Sequence, residues 1–422
     1  MQAEVDTHDT TRITVGINPQ NFDWKLDCGE SFQTPEAVVV FSDKGLNGMS
    51  QTFHKLYQKR LARGYWRDRP RPILNNNWEA TYFDFTEDRL VEIAAKAKEC
   101  GVELFVLDDG WFGERENDQK ALGDWQDNPE KLPDGLGGLS AKIHAMGLKF
   151  GIWVEPEMIS ENSKLYREHP EYAVRIPGKA AAVGRNQMLL DLTQTKVQDR
   201  IIADMSDVFR RGQVDYVKWD MNRSVDNVFS VALPKERQGE VYHRYVLAVY
   251  EMMESLVQRY PNLLFESCSG GGGRFDAGML YYSPQIWCSD NTDAIDRLKI
   301  QYGTSFGYPV SAMGAHVSVC PNHQSGRTTP FETRGIVASA GTFGYELDLN
   351  LLSDGEKQEV AEQIRQFKTY GPLIHNGKYY RLTNPMAEDA ALWEFAAQDG
   401  SEVLVQGMLF HAEANVLRRT VQ

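Results

Sequence analysis

Lys218-Trp219-Asp220 sets an amine two residues before a carboxylate, inside the alternating run Val214-Asp-Tyr-Val-Lys-Trp-Asp-Met-Asn-Arg223. A strand puts Val217, Trp219 and Met221 on one face and Tyr216, Lys218, Asp220 and Asn222 on the other. At the carboxyl end of a strand in a parallel barrel, that polar face points into the mouth of a site. The ammonium of Lys218 is expected to keep Asp220 ionised at neutral pH, which suits a nucleophile better than a proton donor. The plain alternative is a structural ion pair capping the strand.

Other residues with chemistry recur at similar places. Asp108-Asp109 could be a metal site, a catalytic pair or a clamp for two sugar hydroxyls, and the following Gly110 lets both side chains converge on one ligand. A metal would want further His or carboxylate ligands at the same depth, and His316 is the one imidazole near a candidate strand end, so no metal is expected. Glu266-Ser-Cys-Ser-Gly-Gly-Gly-Gly273 follows a strand with four glycines, a turn that lets backbone approach a ligand closely. It lacks the Lys-Ser/Thr pair of a phosphate loop. Cys288-Ser-Asp-Asn-Thr-Asp293 ends another strand: Asp290 would face the mouth, and Asp293 would cap the helix beginning near Ala294. Glu155 and Glu157 are rival acids, although Pro156 between them suits a structural bend.

The elements that must position these groups alternate between strand and helix from Pro72 onward, the pattern of βα units and a parallel sheet. Strand candidates cover 73–78, 103–108, 149–155, 188–193, 214–220, 263–268, 285–290, 311–316 and 342–347. That is one too many for an eight-stranded barrel, and 188–193 is the run set aside as an excursion. Thr86 caps a helix ending at Gly101; further helices cover 195–211 and 240–259, and one begins at Asp354 and reaches about Tyr370. Before the barrel, strands are expected over 12–17, 22–26 and 36–41, and a helix over 47–63. After it, strands are expected over 377–382, 391–395 and 402–410. The expected organisation is therefore three regions: 1–66, the end of an N-terminal β domain and a linker helix; 67–350, a catalytic (β/α)8 barrel; and 351–422, a helix and a C-terminal β domain.

Composition narrows the partners. The 422 residues carry 59 acidic and 45 basic side chains, a net charge of -14, which argues against nucleic acid or an anionic membrane surface. Cys28, Cys100, Cys268, Cys288 and Cys320 are odd in number and widely spaced, and read as reduced thiols. With no apolar run of membrane length and a polar first segment, a cytoplasmic location is expected.

Leu104-Phe-Val-Leu-Asp-Asp-Gly-Trp111, Gly151-Ile-Trp-Val-Glu-Pro-Glu-Met158, Tyr216-Val-Lys-Trp-Asp-Met-Asn-Arg223, Glu266-Ser-Cys-Ser-Gly-Gly-Gly272 and Trp287-Cys-Ser-Asp-Asn-Thr-Asp293 together resemble the α-galactosidases of glycoside hydrolase family 36. The resemblance runs from about residue 12 to 415 in the family's order. It implies Asp220 as nucleophile and Asp290 as general acid/base, with Asp108 and Asp109 on the O4 and O6 hydroxyls of galactose. Lys218 and Asn222 would meet ring hydroxyls, Cys268 and Gly270 would lie near O2, and Trp78, Trp153 and Arg185 would complete the pocket. It implies an N-terminal β-supersandwich, a central barrel, a C-terminal β-sandwich and a homo-oligomer, a tetramer in full-length relatives. No cofactor is implied. The expected reaction is retaining hydrolysis of terminal α-1,6-galactose from melibiose- or raffinose-type sugars. Its rivals are a galactosyl transferase of the raffinose-synthase type, a metal-dependent barrel hydrolase and a non-catalytic galactose-binding protein. The sequence departs from the family in holding little of the first domain and a short third one, so this chain by itself is expected to be a poor enzyme.

Overall fold

The structure is a computed structural model that describes residues 1–226 and 228–411. Eight parallel strands close into a barrel in chain order: β1 (Leu74–Asn76), β2 (Leu104–Leu107), β3 (Lys149–Val154), β4 (Tyr216–Trp219), β5 (Leu264–Ser267), β6 (Gln285–Trp287), β7 (Met313–Ser318) and β8 (Thr342–Glu346). The helices that follow them are α1 (Glu87–Cys100), α2 (Gly135–Ala145), α3 (Thr195–Arg211), α4 (Val241–Arg259), α5 (Ala277–Tyr282), α6 (Ala294–Thr304), α7 (Phe331–Ser339) and α8 (Asp354–Asn376).

Strand alternation builds two cores. Leu74, Leu104, Val106, Tyr216 and Leu264 fill the barrel interior, with Trp66 packed against them, whereas Phe105, Leu107, Val217, Trp219 and Phe265 lie in the layer between strands and helices. Helix α4 contributes Tyr245, Val249, Met252, Met253 and Leu256 to that outer layer from one stripe. At α1 the expected signals operate: the Thr86 side chain accepts the Arg89 N–H, and Gly101 closes the helix at φ 98°.

The excursion set aside in the sequence is one. Met188–Leu189 pairs antiparallel with Met158–Ile159 in a small sheet outside the barrel. Three expectations shift. Trp78 does not end a strand; it begins the short helix Trp78–Thr81, because the Asn76 side chain accepts its N–H and turns the chain at once. Residues 22–26 and 36–41 form no strands, and the opening hairpin pairs Gln2–Val5 with Thr11–Thr14 instead. Strand propensity needs a partner strand, and Val39 and Phe41 have none and stand exposed. Helix α8 runs past Tyr370 and through Pro372, because Leu373 and Ile374 bury against Tyr379, Trp393 and Phe395. Those three belong to the antiparallel sheet Lys378–Arg381, Ala390–Ala396 and Val403–Leu409. The end of the 351–422 region, residues 412–422, lies outside the described residues. No helix among the described residues is long and apolar enough to cross a membrane.

Candidate active site

The carboxyl ends of β1, β2 and β4 meet at Asp108. Its Oδ2 accepts from Lys218 Nζ at 2.9 Å and Asn76 Nδ2 at 2.6 Å, while its Oδ1 accepts the Asp109 N–H at 2.9 Å. Asp109 turns the other way and takes both prongs of the Arg115 guanidinium, at 3.0 and 2.8 Å. Burial pushes the Asp109 carboxyl up against the pull of Arg115. Removing Arg115 would strand a buried charge, so Arg115→Met is expected to cost about 3–5 kcal/mol in a urea unfolding experiment. A loss below about 1 kcal/mol would mean that Asp109 finds another partner.

Lys218 therefore does not pair with Asp220, as the sequence spacing suggested. Residues two apart on a strand sit about 6.6 Å apart along it, whereas the barrel interior brings Asp108 from β2 directly onto the ammonium. Burial lowers the Lys218 pKa, but Asp108 and its acidic neighbours outweigh that and hold it well above the ordinary lysine range. Asp220 is instead ringed by uncharged donors. Trp153 Nε1 at 3.1 Å and Asn222 Nδ2 at 2.7 Å reach its Oδ2; the Met221 N–H at 2.8 Å and the Gly270 N–H at 3.4 Å reach its Oδ1. A carboxyl with donors on both oxygens acts as an acceptor, the form in which it can attack carbon. Asn222 Oδ1 is buried without a partner, close to Gly270.

Asp290 follows β6, two strands along from Asp220, and is partly buried. Burial raises its pKa first, Asp220 raises it further, and the charges of Lys218 and Arg185 only moderate the rise. The indole of Trp287 donates to its Oδ1 at 3.0 Å. Gly271, at φ 88°, lets the loop after β5 press on this segment, since a Cβ there would lie 2.7 Å from the Asp290 nitrogen. Cys268, buried between these groups, has its thiol pushed well up by burial and by Asp220, so it stays protonated. Trp78 sits at the rim, edge-on to Tyr82 and Phe83 at 5.1 and 5.2 Å. Arg185 is exposed, with φ 50°, near enough to Asp290 to act on its charge.

The rival acids differ. Glu157 is fully tied, to Trp219 Nε1, Tyr245 Oη and both prongs of Arg274. Glu155 accepts from Gln187 Nε2 and from the Asn222 N–H, and burial together with Asp220 drives its pKa upward. It buttresses the turn that carries Asn222. Sequence reasoning passed over Asn76, Arg115 and Trp287 as site residues. Asn76 and Trp287 were findable, being the inward residues at the ends of β1 and β6. Arg115 lies in the loop after β2, where no periodicity marks it. Among the described residues no group of three His, Cys, Asp or Glu side chains could hold a metal ion.

The barrel that carries these two carboxyls has a counterpart among known proteins. The family model for melibiase matches residues 31–377. The chain belongs to the melibiase family, glycoside hydrolase family 36. Among its melibiase relatives, the α-galactosidase AgaA of Geobacillus stearothermophilus is 56% identical over 98% of this chain and 57% of its own length. Alpha-galactosidase 1 of Pediococcus pentosaceus is 51% identical over 99% of this chain and 57% of its own. The crystal structure of AgaA superposes with a TM-score of 0.97 over 98% of this chain and 58% of the other. A variant of AgaA solved in complex with raffinose gives the same TM-score, 0.97. The chain thus spans a little over half the length of the relatives it matches.

Proposed function

We propose that the protein is a retaining exo-α-galactosidase that removes terminal α-1,6-linked galactose from small sugars such as melibiose and raffinose. The observation that carries this reading is the contrast between its two carboxyls: Asp220 held by donors on both oxygens, Asp290 pushed toward its protonated form by burial and by Asp220. Asp220 attacks the anomeric carbon while Asp290 gives its proton to the leaving oxygen. Asp290 then takes a proton from the water that releases galactose, so each residue ends as it began. Asp108 and Asp109, already oriented by Lys218 and Arg115, keep acceptor capacity for hydroxyls of the sugar, and the open Asn222 Oδ1 accepts another. Trp78, Trp153, Cys268, Gly270 and Arg185 shape the rest of the pocket. The complexes described for AgaA variants, with raffinose and with stachyose, support this substrate class.

The same reading includes a cytoplasmic homo-oligomer without cofactor. Its supports are the five free thiols, which suit a reducing compartment, and the exposed apolar run at Val38, Val39 and Phe41, which suits a subunit or domain contact. Proton NMR of raffinose hydrolysis tests the mechanism. α-Galactose is expected as the first product, with β-galactose growing in by mutarotation. β-Galactose first would mean inversion and overturn the reading.

A further inference from the structure

Trp287 reaches Asp290 from a ring that is held on two sides. The His316 imidazole lies 4.4 Å from it, centroid to centroid, at 37°, and the Arg297 guanidinium carbon lies 4.5 Å from its centroid. Gly314, two residues before His316 on β7, makes room, since a Cβ there would come within 2.8 Å of the indole Cε3. His316 is itself anchored: its Nδ1 lies 3.0 Å from Glu346 Oε2, with the two side chains only 3% and 4% exposed. Burial pushes Glu346 up, but the His316 hydrogen bond and the Lys218 charge outweigh it and hold Glu346 below the usual carboxylate range. An ionised Glu346 fixes the proton on Nδ1, and Nε2 is buried without a partner.

As core filling this arrangement is poor chemistry. Replacing the buried, hydrogen-bonded His316–Glu346 pair together by apolar side chains would cost the fold little, so its contribution to folding does not account for the pair. What it does supply is a fixed plane for the indole, and with it a fixed direction for the one N–H on the Trp287 side chain. That N–H ends on Asp290 Oδ1.

We propose that His316, anchored by Glu346, is a positioning residue: it holds Trp287 so that the indole N–H binds Oδ1 of Asp290 and leaves Oδ2 as the oxygen that exchanges the proton. This deepens the reading of Asp290 as the acid and rests on it for its catalytic meaning. The titratable and charged groups that face Asp290 from neighbouring elements are Asp220 and Lys218 at β4, Cys268 after β5, Arg185 in the loop before α3, Arg297 on α6 and Glu346 on β8.

The test is a double-mutant cycle read on Asp290 itself. The chain is labelled at the aspartate carboxyl carbons, and the Asp290 signal is assigned by its loss in Asp290→Asn and followed against pH. Trp287→Phe removes the N–H and is expected to raise the Asp290 midpoint by about one unit, because that bond favours the ionised form. His316→Leu is expected to raise it in the same direction, and the double variant to match Trp287→Phe alone. Additive shifts, or no shift in His316→Leu, would overturn the proposal. His316→Asn, which can keep a donor to Glu346 while removing the ring, carries the same expectation if the leucine variant does not fold. Kinetics separate the two readings. For His316→Leu, kcat/KM is expected to fall about tenfold further on raffinose than on 4-nitrophenyl α-galactoside, whose leaving group needs little protonation; equal losses would overturn the proposal. A wild-type chain that hydrolyses neither sugar would count against the proposed function, and the titration cycle would still decide the role of His316.

Discussion

Asp220→Gly is expected to lower turnover of any α-galactoside by at least about 10⁴-fold, and added azide to restore part of it while yielding β-galactosyl azide. The inversion follows from where the carboxylate sits. Asp220 is held by Trp153, Asn222 and two backbone N–H groups, all on the protein side of the pocket. Glycine empties a space already lined by donors, and a small anion entering it attacks from the face that the carboxylate used. Leaving those donors unsatisfied costs about 1–3 kcal/mol, which a thermal melt of the variant would read independently of activity. An α-galactosyl azide, or a variant that keeps a tenth of wild-type turnover, would remove Asp220 from the nucleophile's place.

The barrel was legible because its strands declare themselves twice, by alternation and by what ends them. Val214 to Asn222 shows both: Val217 and Trp219 pack outward, Tyr216 fills the barrel, and the polar residues come last. Helix signals at Thr86, Gly101 and Asp293 were equally local, and each cap forms as the sequence indicates. What the sequence hid depends on partners far away in the chain. Lys218 is nearer in sequence to Asp220, yet closure of the barrel gives it to Asp108, 110 residues away. The runs at 22–26 and 36–41 have strand composition, but a strand exists only against a neighbour. The helix expected to reach about Tyr370 continues through Pro372, because Leu373 and Ile374 bury against the C-terminal sheet. The same limit explains the site. Asp108, Asp220 and Asp290 could be picked by type and position, whereas the His316–Trp287 stack joins residues on β6 and β7 that no spacing rule connects.

Asp290→Ala is expected to divide substrates by their leaving groups. Raffinose expels a sugar alkoxide that must be protonated as the bond breaks, so its kcat/KM should fall by about 10²- to 10⁴-fold. 4-Nitrophenyl α-galactoside expels a stable phenolate, so the first step should survive and the galactosyl-enzyme should then accumulate, because the residue that activates water is gone. A burst of nitrophenol followed by a slow steady state is the expected trace. The pH profile of the wild type carries the same information with a definite sign. Burial and Asp220 raise the Asp290 pKa, so its proton is retained above the pH at which an ordinary aspartate has lost it. The alkaline limb of kcat/KM on raffinose should therefore lie on the alkaline side of the ordinary aspartate value of about 3.9. That limb should be absent from the Asp290→Ala profile. Equal losses on both substrates, with the alkaline limb intact, would move the proton to Glu155, whose pKa is also driven upward by burial and by Asp220.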